Sequence, residues 1–270
     1  AGAVLTEQVF TIPGFGKLIV DAVFNRDYGV VQGVVLCTAI GFILMNLIAD
    51  DMARHGAAPV VHVGDYEDRG PDSRGVIDFL IAGQARGEDW ITLRGNHDRM
   101  FAGFLQSPDW KDEGLRSDLS YLHYKIGGGE TLASYGVRNA ADRPIRKVHP
   151  EAVAAIPPDH RAFLAGLKTW WQRDQVIFAH AGIRPGVAME AQSETDLIWI
   201  RKEFLDDPRD HGALIVHGHT AIDQPRHYGN RLNIDSSVAY GGPLSAVVIE
   251  GRDAFRLIKG GRLPIRPETV

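Results

Sequence analysis

Four times along this chain a short apolar run ends at a small residue and then presents an Asp, Asn or His. The stretches are "VHVGDYEDRG" with Asp65, "ITLRGNHD" with Asn96, His97 and Asp98, "VIFAHAGIRP" with His180, and "LIVHGHT" with His217 and His219. Each apolar run is short and rich in β-branched residues, the signature of a buried strand. In open α/β sheets ligands bind in the crevice at the carboxyl ends of the strands, so four such loops are expected to converge on one site. Carboxylate, carboxamide and imidazole donors suit hard or borderline divalent cations. A single strand-end histidine carries no such implication; four clusters in one chain do.

Around these loops the chain alternates strands and helices, which argues an α/β layered architecture. Strands are expected at Pro59–Val63, Trp90–Leu93, Gln175–Ala179, Ala213–Val216, Arg231–Ile234 and Leu244–Ile249, and helices at Ser73–Ala85, Arg99–Gln106, Pro158–Trp171 and Thr195–Leu205. "YGNR" at Tyr228–Arg231 reads as a hairpin turn. The run Gly127–Gly129 has the look of a phosphate cradle, but no helix signal follows it, and a mobile loop is expected there.

The first fifth of the chain has a different composition. Residues 28–49 hold 22 positions without Asp, Glu, Lys, Arg or His. As one helix this run is roughly 33 Å long, enough to cross a hydrocarbon core. It also reads as a buried strand, Val34–Ile40, followed by a helix. With a net charge of -5 and no basic stripe, the chain has no nucleic-acid footprint. Cys37 is the only cysteine, which excludes an internal disulfide and a thiolate metal centre and points to a reducing compartment.

Two family resemblances follow. Residues 1–50, with the TE-x-VF-x-x-PG-x-G loop (Thr6 to Gly16), "RDY" (Arg26–Tyr28), "VVQG" (Val30–Gly33) and a last apolar run ending "NLIAD", resemble the C-terminal end of dipeptide-type ABC transporter permeases. That resemblance implies a final membrane helix over 28–49 with the chain continuing into the cytoplasm; transport by these residues alone is not expected. Residues 51–270 resemble calcineurin-like metallophosphoesterases, in their bacterial serine/threonine protein phosphatase branch. The motifs are GD-x-x-DRG (Gly64–Gly70), GNHD (Gly95–Asp98), HAG (His180–Gly182) and GHT (Gly218–Thr220), with support from "GGGETLASYG", "IPPDHRAFL" and "DLIWIR".

The second resemblance implies a four-layer α/β/β/α sandwich with two adjacent cations of Mn, Fe or Zn. Asp65 would bridge them, and Asn96, His180 and His219 would complete the shell of one. Arg69 and Arg201 would hold phosphate oxygens, as the planar guanidinium fork suits. His97, oriented by Asp98, would protonate the leaving group. His217 is expected beside the ligands rather than among them.

One departure matters. The family's first motif, GD-x-HG, ends its first strand and supplies the other cation's Asp and His. No such motif is found: Phe42 follows "AIG" (Ala39–Gly41) where Asp is required, and no His precedes His55. Glu67 stands where the family has an apolar residue; Asp27, Asp50 and Asp51 are further candidate donors. The expected protein is thus a phosphomonoesterase of the EC 3.1.3 kind lacking its N-terminal strand, with one cation site intact, impaired in turnover, and acting on phosphoproteins or small phosphoesters. It is expected in the cytoplasm, with membrane contact through 28–49. The alternatives are a dinucleoside polyphosphate hydrolase, or a non-catalytic metal- or phosphate-binding remnant joined to a permease fragment.

Overall fold

The computed structural model describes residues 44–268. The chain divides into two units, Ala1–Ala49 and Asp50–Val270. Of the first, only residues 44–49 are described, and they are helical. The strand reading of Val34–Ile40 and most of the 28–49 run lie outside the described residues. No described helix is long and apolar enough to cross a membrane.

The second unit holds ten strands and seven α-helices among the described residues that lie wholly within it: β1 (Val60–His62), α1 (Ser73–Ala85), β2 (Trp90–Thr92), α2 (Asn96–Gln106), α3 (Gly128–Ser134), α4 (Ile145–Ala155), α5 (Pro158–Gly166), β3 (Trp170–Arg173), β4 (Val176–Ala179), α6 (Glu194–Trp199), α7 (Lys202–Leu205), β5 (Leu214–His217), β6 (Arg226–His227), β7 (Arg231–Asn233), β8 (Val247–Glu250), β9 (Asp253–Ile258) and β10 (Gly261–Ile265). They form a five-stranded sheet in the order β3-β4-β5-β7-β6, a three-stranded sheet β10-β9-β8, and the pair β1-β2.

Side chains alternate across a strand with period two, and this alternation builds the layers. From β4 and β5, Ile177, Ala179 and Ile215 face one side and pack with Leu197, Ile198, Ile200 and Phe204 of the α6–α7 region. Val176, Leu214 and Val216 face the other side, with Leu232 of β7, against Ala254 and the partly buried Val247, Ile249 and Ile265 of the three-stranded sheet. Helices cover one face of the large sheet and a second sheet covers the other. On the β1-β2 pair, α1 packs so closely that a Cβ on Gly83 would lie 1.9 Å from the Trp90 ring. Arg262 of β10 ties Asp51 with a forked pair of hydrogen bonds, both 2.7 Å.

β1 pairs with β2 in parallel, and β4 with β5 in parallel, so each pair delivers its carboxyl ends to one edge. Among the described residues β1 hydrogen-bonds to a strand on one side only.

Several expected boundaries shift. Ser73–Ala85 is helical as read. Pro158–Trp171 is not one helix: α5 stops at Gly166 and Trp170 opens β3. Thr195–Leu205 is two short helices, broken where Arg201 takes φ −132° and ψ −101°. The "YGNR" turn joins β6 to β7 in an antiparallel hairpin, with Gly229 at φ +87°. The glycine run opens a helix, α3, with Gly127 at its N-cap, contrary to the loop expected.

Candidate metal centre

Two glycines decide how closely the loops approach. A Cβ on Gly64 would lie 2.5 Å from Gly95 N, and one on Gly95 would lie 2.1 Å from Asp65 Oδ1. Only bare backbone lets the β1 and β2 loops pack this way. Asp65 and His219 both sit at positive φ, 60° and 62°. Non-glycine residues in this region carry strain that the surroundings must hold, and such positions cluster at functional sites.

Asp98 holds the two loops together. Its carboxylate accepts the backbone N–H of Gly95 at 2.6 Å, Asp65 at 2.8 Å and Tyr66 at 3.0 Å. Being in the first turn of α2, it also favours the positive end of the helix dipole.

Donors from the separate loops converge. His180 donates Nδ1–H to the Val63 carbonyl at 2.7 Å, which leaves Nε2 3.1 Å from Asn96 Oδ1 and 3.4 Å from Asp65 Oδ2. His219 Nδ1 lies 2.9 Å from the same Asn96 oxygen, and its Nε2 is buried without a partner. Asp65, His180 and His219 can each offer a ligand atom within 4.8 Å of the others, the one such group among the described residues. The electrostatics suit a cation. Burial raises the Asp65 carboxyl, but His180 and His97 overcome this and hold it below the usual range. Burial, then His180 and Arg201, push His219 down to about 2, so its ring is neutral and keeps a lone pair. Burial opposes charge on His180, and the Asp65 carboxylate overcomes it. A ring nitrogen and two oxygens facing one another attract only if a proton or a cation lies between them, so the residues present fit a divalent cation.

His97 is brought beside these donors. Its backbone N–H donates to Asp65 Oδ1 at 3.1 Å, while its ring donates Nδ1–H to Asp68 Oδ2 at 2.6 Å. Burial works against charge on this ring, but Asp65 and the bond to Asp68 raise its pKa. The expectation that Asp98 orients His97 is therefore corrected: Asp98 is spent on backbone N–H groups. Neighbouring side chains on a helix diverge and do not face each other. Arg69 is near enough to oppose charging of His97, and Arg201, exposed at the start of α7, opposes charging of His219. The Arg69 guanidinium donates to the Lys125 carbonyl at 3.2 Å and lies over the Tyr240 ring at 5.3 Å.

The remaining candidates separate. His217 is fully buried, pushed by burial to about 3, and bonded to the Gly218 carbonyl at 3.0 Å; it is not in the ligand group. Glu67 is buried, and burial, then the charge of Asp98 and a hydrogen bond to its carboxylate, push its carboxyl far up. It is neither solvent-facing nor in the ligand group. Asp51 is taken by Arg262. Sequence reading missed Asp68 as a working residue although it stands within GD-x-x-DRG. It had no signal for Tyr121, and Thr131 stood only inside the supporting match "GGGETLASYG" with no role given; both bond to Asp68.

Residues 43–235 match the family described as Calcineurin-like phosphoesterase. Residues 1–56 match the Binding-protein-dependent transport system inner membrane component. Over 50 residues the chain is 54% identical to the dipeptide transport system permease protein DppB of Escherichia coli, covering 18% of this chain and 15% of that protein. It is 49% identical over 49 residues to a probable peptide ABC transporter permease protein, y4tP, of Sinorhizobium fredii, covering 18% and 16%. The chain thus spans about a sixth of the length of these permeases. In fold it is similar to a mutant of a cold-active protein tyrosine phosphatase, with TM-score 0.51, 17% identity, and coverage of 85% of this chain and 77% of that one.

Proposed function

The chain belongs to the calcineurin-like phosphoesterase family, and on that premise we propose that it is a cation-dependent phosphomonoesterase of the serine/threonine protein phosphatase kind that works with one cation and turns over slowly. The observation that carries this reading is the convergence of His180 Nε2, Asn96 Oδ1 and Asp65 Oδ2, with the His180 tautomer fixed by Val63. Asp65, Asn96, His180 and His219 would hold the ion; Mn, Fe and Zn all accept such a shell. When bound, a divalent cation polarises the phosphoryl oxygen and lowers the pKa of water.

The protein's own groups do the rest. Arg69 and Arg201 bind phosphate oxygens and fix the ester for in-line attack. His97, with Nδ1–H on Asp68, presents Nε2 to the leaving oxygen. Slow turnover follows from the missing GD-x-HG loop: among the described residues no second group of three donors accompanies the first. The same absence favours a second reading, a protein that binds cation and phosphate without turnover.

Calorimetric titration with Mn²⁺, run beside p-nitrophenyl phosphate hydrolysis, tests both readings. One equivalent bound with slow turnover, both lost in Asn96→Ala, supports the enzyme. Binding without turnover supports the second reading. Two tight sites with brisk turnover exclude the one-cation reading. We further propose that this unit is cytoplasmic with membrane contact through 28–49; failure of the chain to float with lipid vesicles, and solubility indifferent to detergent, would refute the contact.

A further inference from the structure

His97 works through a carboxylate that something must hold. An Asp carboxylate turns about a broad, two-fold torsion, so one bond to a ring does not fix it. In this protein Asp68 Oδ2 takes the His97 Nδ1–H at 2.6 Å. Its other oxygen, Oδ1, accepts the Thr131 hydroxyl at 2.7 Å and the Tyr121 hydroxyl at 2.9 Å. Thr131 Oγ1 in turn accepts the backbone N–H of Asp68 at 2.8 Å. Ser73 Oγ lies 3.1 Å from it; with the Thr131 proton spent on Asp68, Ser73 is the donor. Thr131 therefore grips Asp68 at two points, and its hydroxyl is saturated. The grip also steadies an Asp68 backbone at φ +69°.

The supports of these hydroxyls are rigid. Thr131 is wholly buried in α3, and Tyr121 stacks on Phe104 at 4.9 Å and Phe101 at 5.8 Å, both on the helix that carries His97. The glycine run serves this packing: a Cβ on Gly127 would meet Arg69 N at 2.4 Å, and one on Gly128 would meet the Tyr121 ring at 2.6 Å.

We infer that Thr131 and Tyr121 are positioning residues that set His97 as the leaving-group acid by fixing Asp68. This rests on the phosphoesterase reading above. In the step concerned, the attacking water forms the new P–O bond and gives up one proton. The ester P–O bond breaks with its electron pair on the leaving oxygen, and that oxygen takes the proton from His97 Nε2. The water's proton restores the acid for the next turnover. A leaving group as good as p-nitrophenolate needs little of this proton; an alkoxide needs it fully.

The test compares phosphoserine with p-nitrophenyl phosphate in Thr131→Val, Thr131→Ser and Tyr121→Phe, and follows the low-field ring N–H proton of His97 by NMR. In Thr131→Val, kcat for phosphoserine is expected to fall about tenfold to a hundredfold with KM little changed, and kcat for p-nitrophenyl phosphate far less. Tyr121→Phe should do the same more weakly, and Thr131→Ser should restore the wild-type values. The low-field proton should be present in wild type and Thr131→Ser and weakened in the other two. Equal losses on both esters, or an unchanged His97 proton, overturn the inference. Should Thr131→Val fail to fold, Tyr121→Phe carries the test. If the wild type hydrolyses neither ester, the phosphoesterase reading fails, and the His97 proton alone decides whether Thr131 and Tyr121 position the ring.

Discussion

The carboxylate of Asp98 accepts the backbone N–H of Asp65 at 2.8 Å, although 33 positions separate them. With Gly95 and Tyr66 it gathers three N–H groups from two loops. Asp98→Ala leaves those donors buried and unpaired. We expect a loss of about 3 kcal/mol in unfolding free energy. The cation affinity should fall with it, because Asp65 is no longer fixed. Denaturant melts and Mn²⁺ titration measure the two; unchanged affinity would show that Asp65 finds its place without Asp98.

Much of the centre was legible because each donor follows an apolar strand, and parallel pairing brings strand ends together. The orientation of His97 was not legible. Asp98 adjoins it in sequence, whereas Asp68 reaches it only after the β1 loop folds back across 29 positions. The last strand, β10, was hidden for a different reason. Pro264 argues against a strand, yet β10 is the edge of its sheet, where a missing N–H is harmless. Helix α4 was hidden by Pro150 within it. The Trp170–Trp171 pair continued the apolar pattern of α5, and nothing local marked the change to a strand.

Glu67 is 4% exposed, and its carboxyl lies against the carboxylate of Asp98. A buried carboxyl whose one side-chain partner is the Asp98 carboxylate is destabilising, and an apolar side chain of similar volume removes the penalty. Glu67→Met is expected to stabilise the fold by about 1–3 kcal/mol. A thermal melt checks it. Destabilisation would mean that the bond to Asp98, which holds the β1 and β2 loops, outweighs the cost of burying the carboxyl.

His62 gives the fold an acid limit. Burial lowers its pKa to about 4, and its Nε2 has no partner. Above about pH 6.5 the ring is neutral in both folded and unfolded chains and stability does not respond. As the pH falls from there towards 4, the unfolded chain takes a proton that the folded ring refuses, so stability drops. The loss is about 2–3 kcal/mol by pH 4. Phenylalanine keeps the edge contact with Trp90, 5.4 Å between ring centres. His62→Phe should therefore lessen the slope of this limb of the pH–stability curve, as read by melts between pH 4 and 7.5, while His217 and His219, which burial also holds low, keep the remainder. A limb of unchanged slope would assign the acid sensitivity to other groups.

Gly95 tests whether loop spacing alone sets the cation site. Its φ is −96°, open to any residue, so alanine brings no backbone strain there. What it brings is a methyl group 2.1 Å from Asp65 Oδ1 and 2.6 Å from Asp65 N. Both contacts are far inside van der Waals range, and one of them is backbone, so the β1 loop must move. Asp65 then leaves its place opposite His180, and the N–H groups shared through Asp98 part with it. Cation affinity in Gly95→Ala is expected to fall about 10- to 100-fold, the range typical when a ligand's support is lost. Gly166→Ala, at the end of α5 with nothing within 4 Å of the added carbon, is the control and should leave affinity unchanged. Equal affinities for the two variants and the parent would mean that Asp65 does not hold the ion, and the centre would then have to be rebuilt from Asn96, His180 and His219 alone.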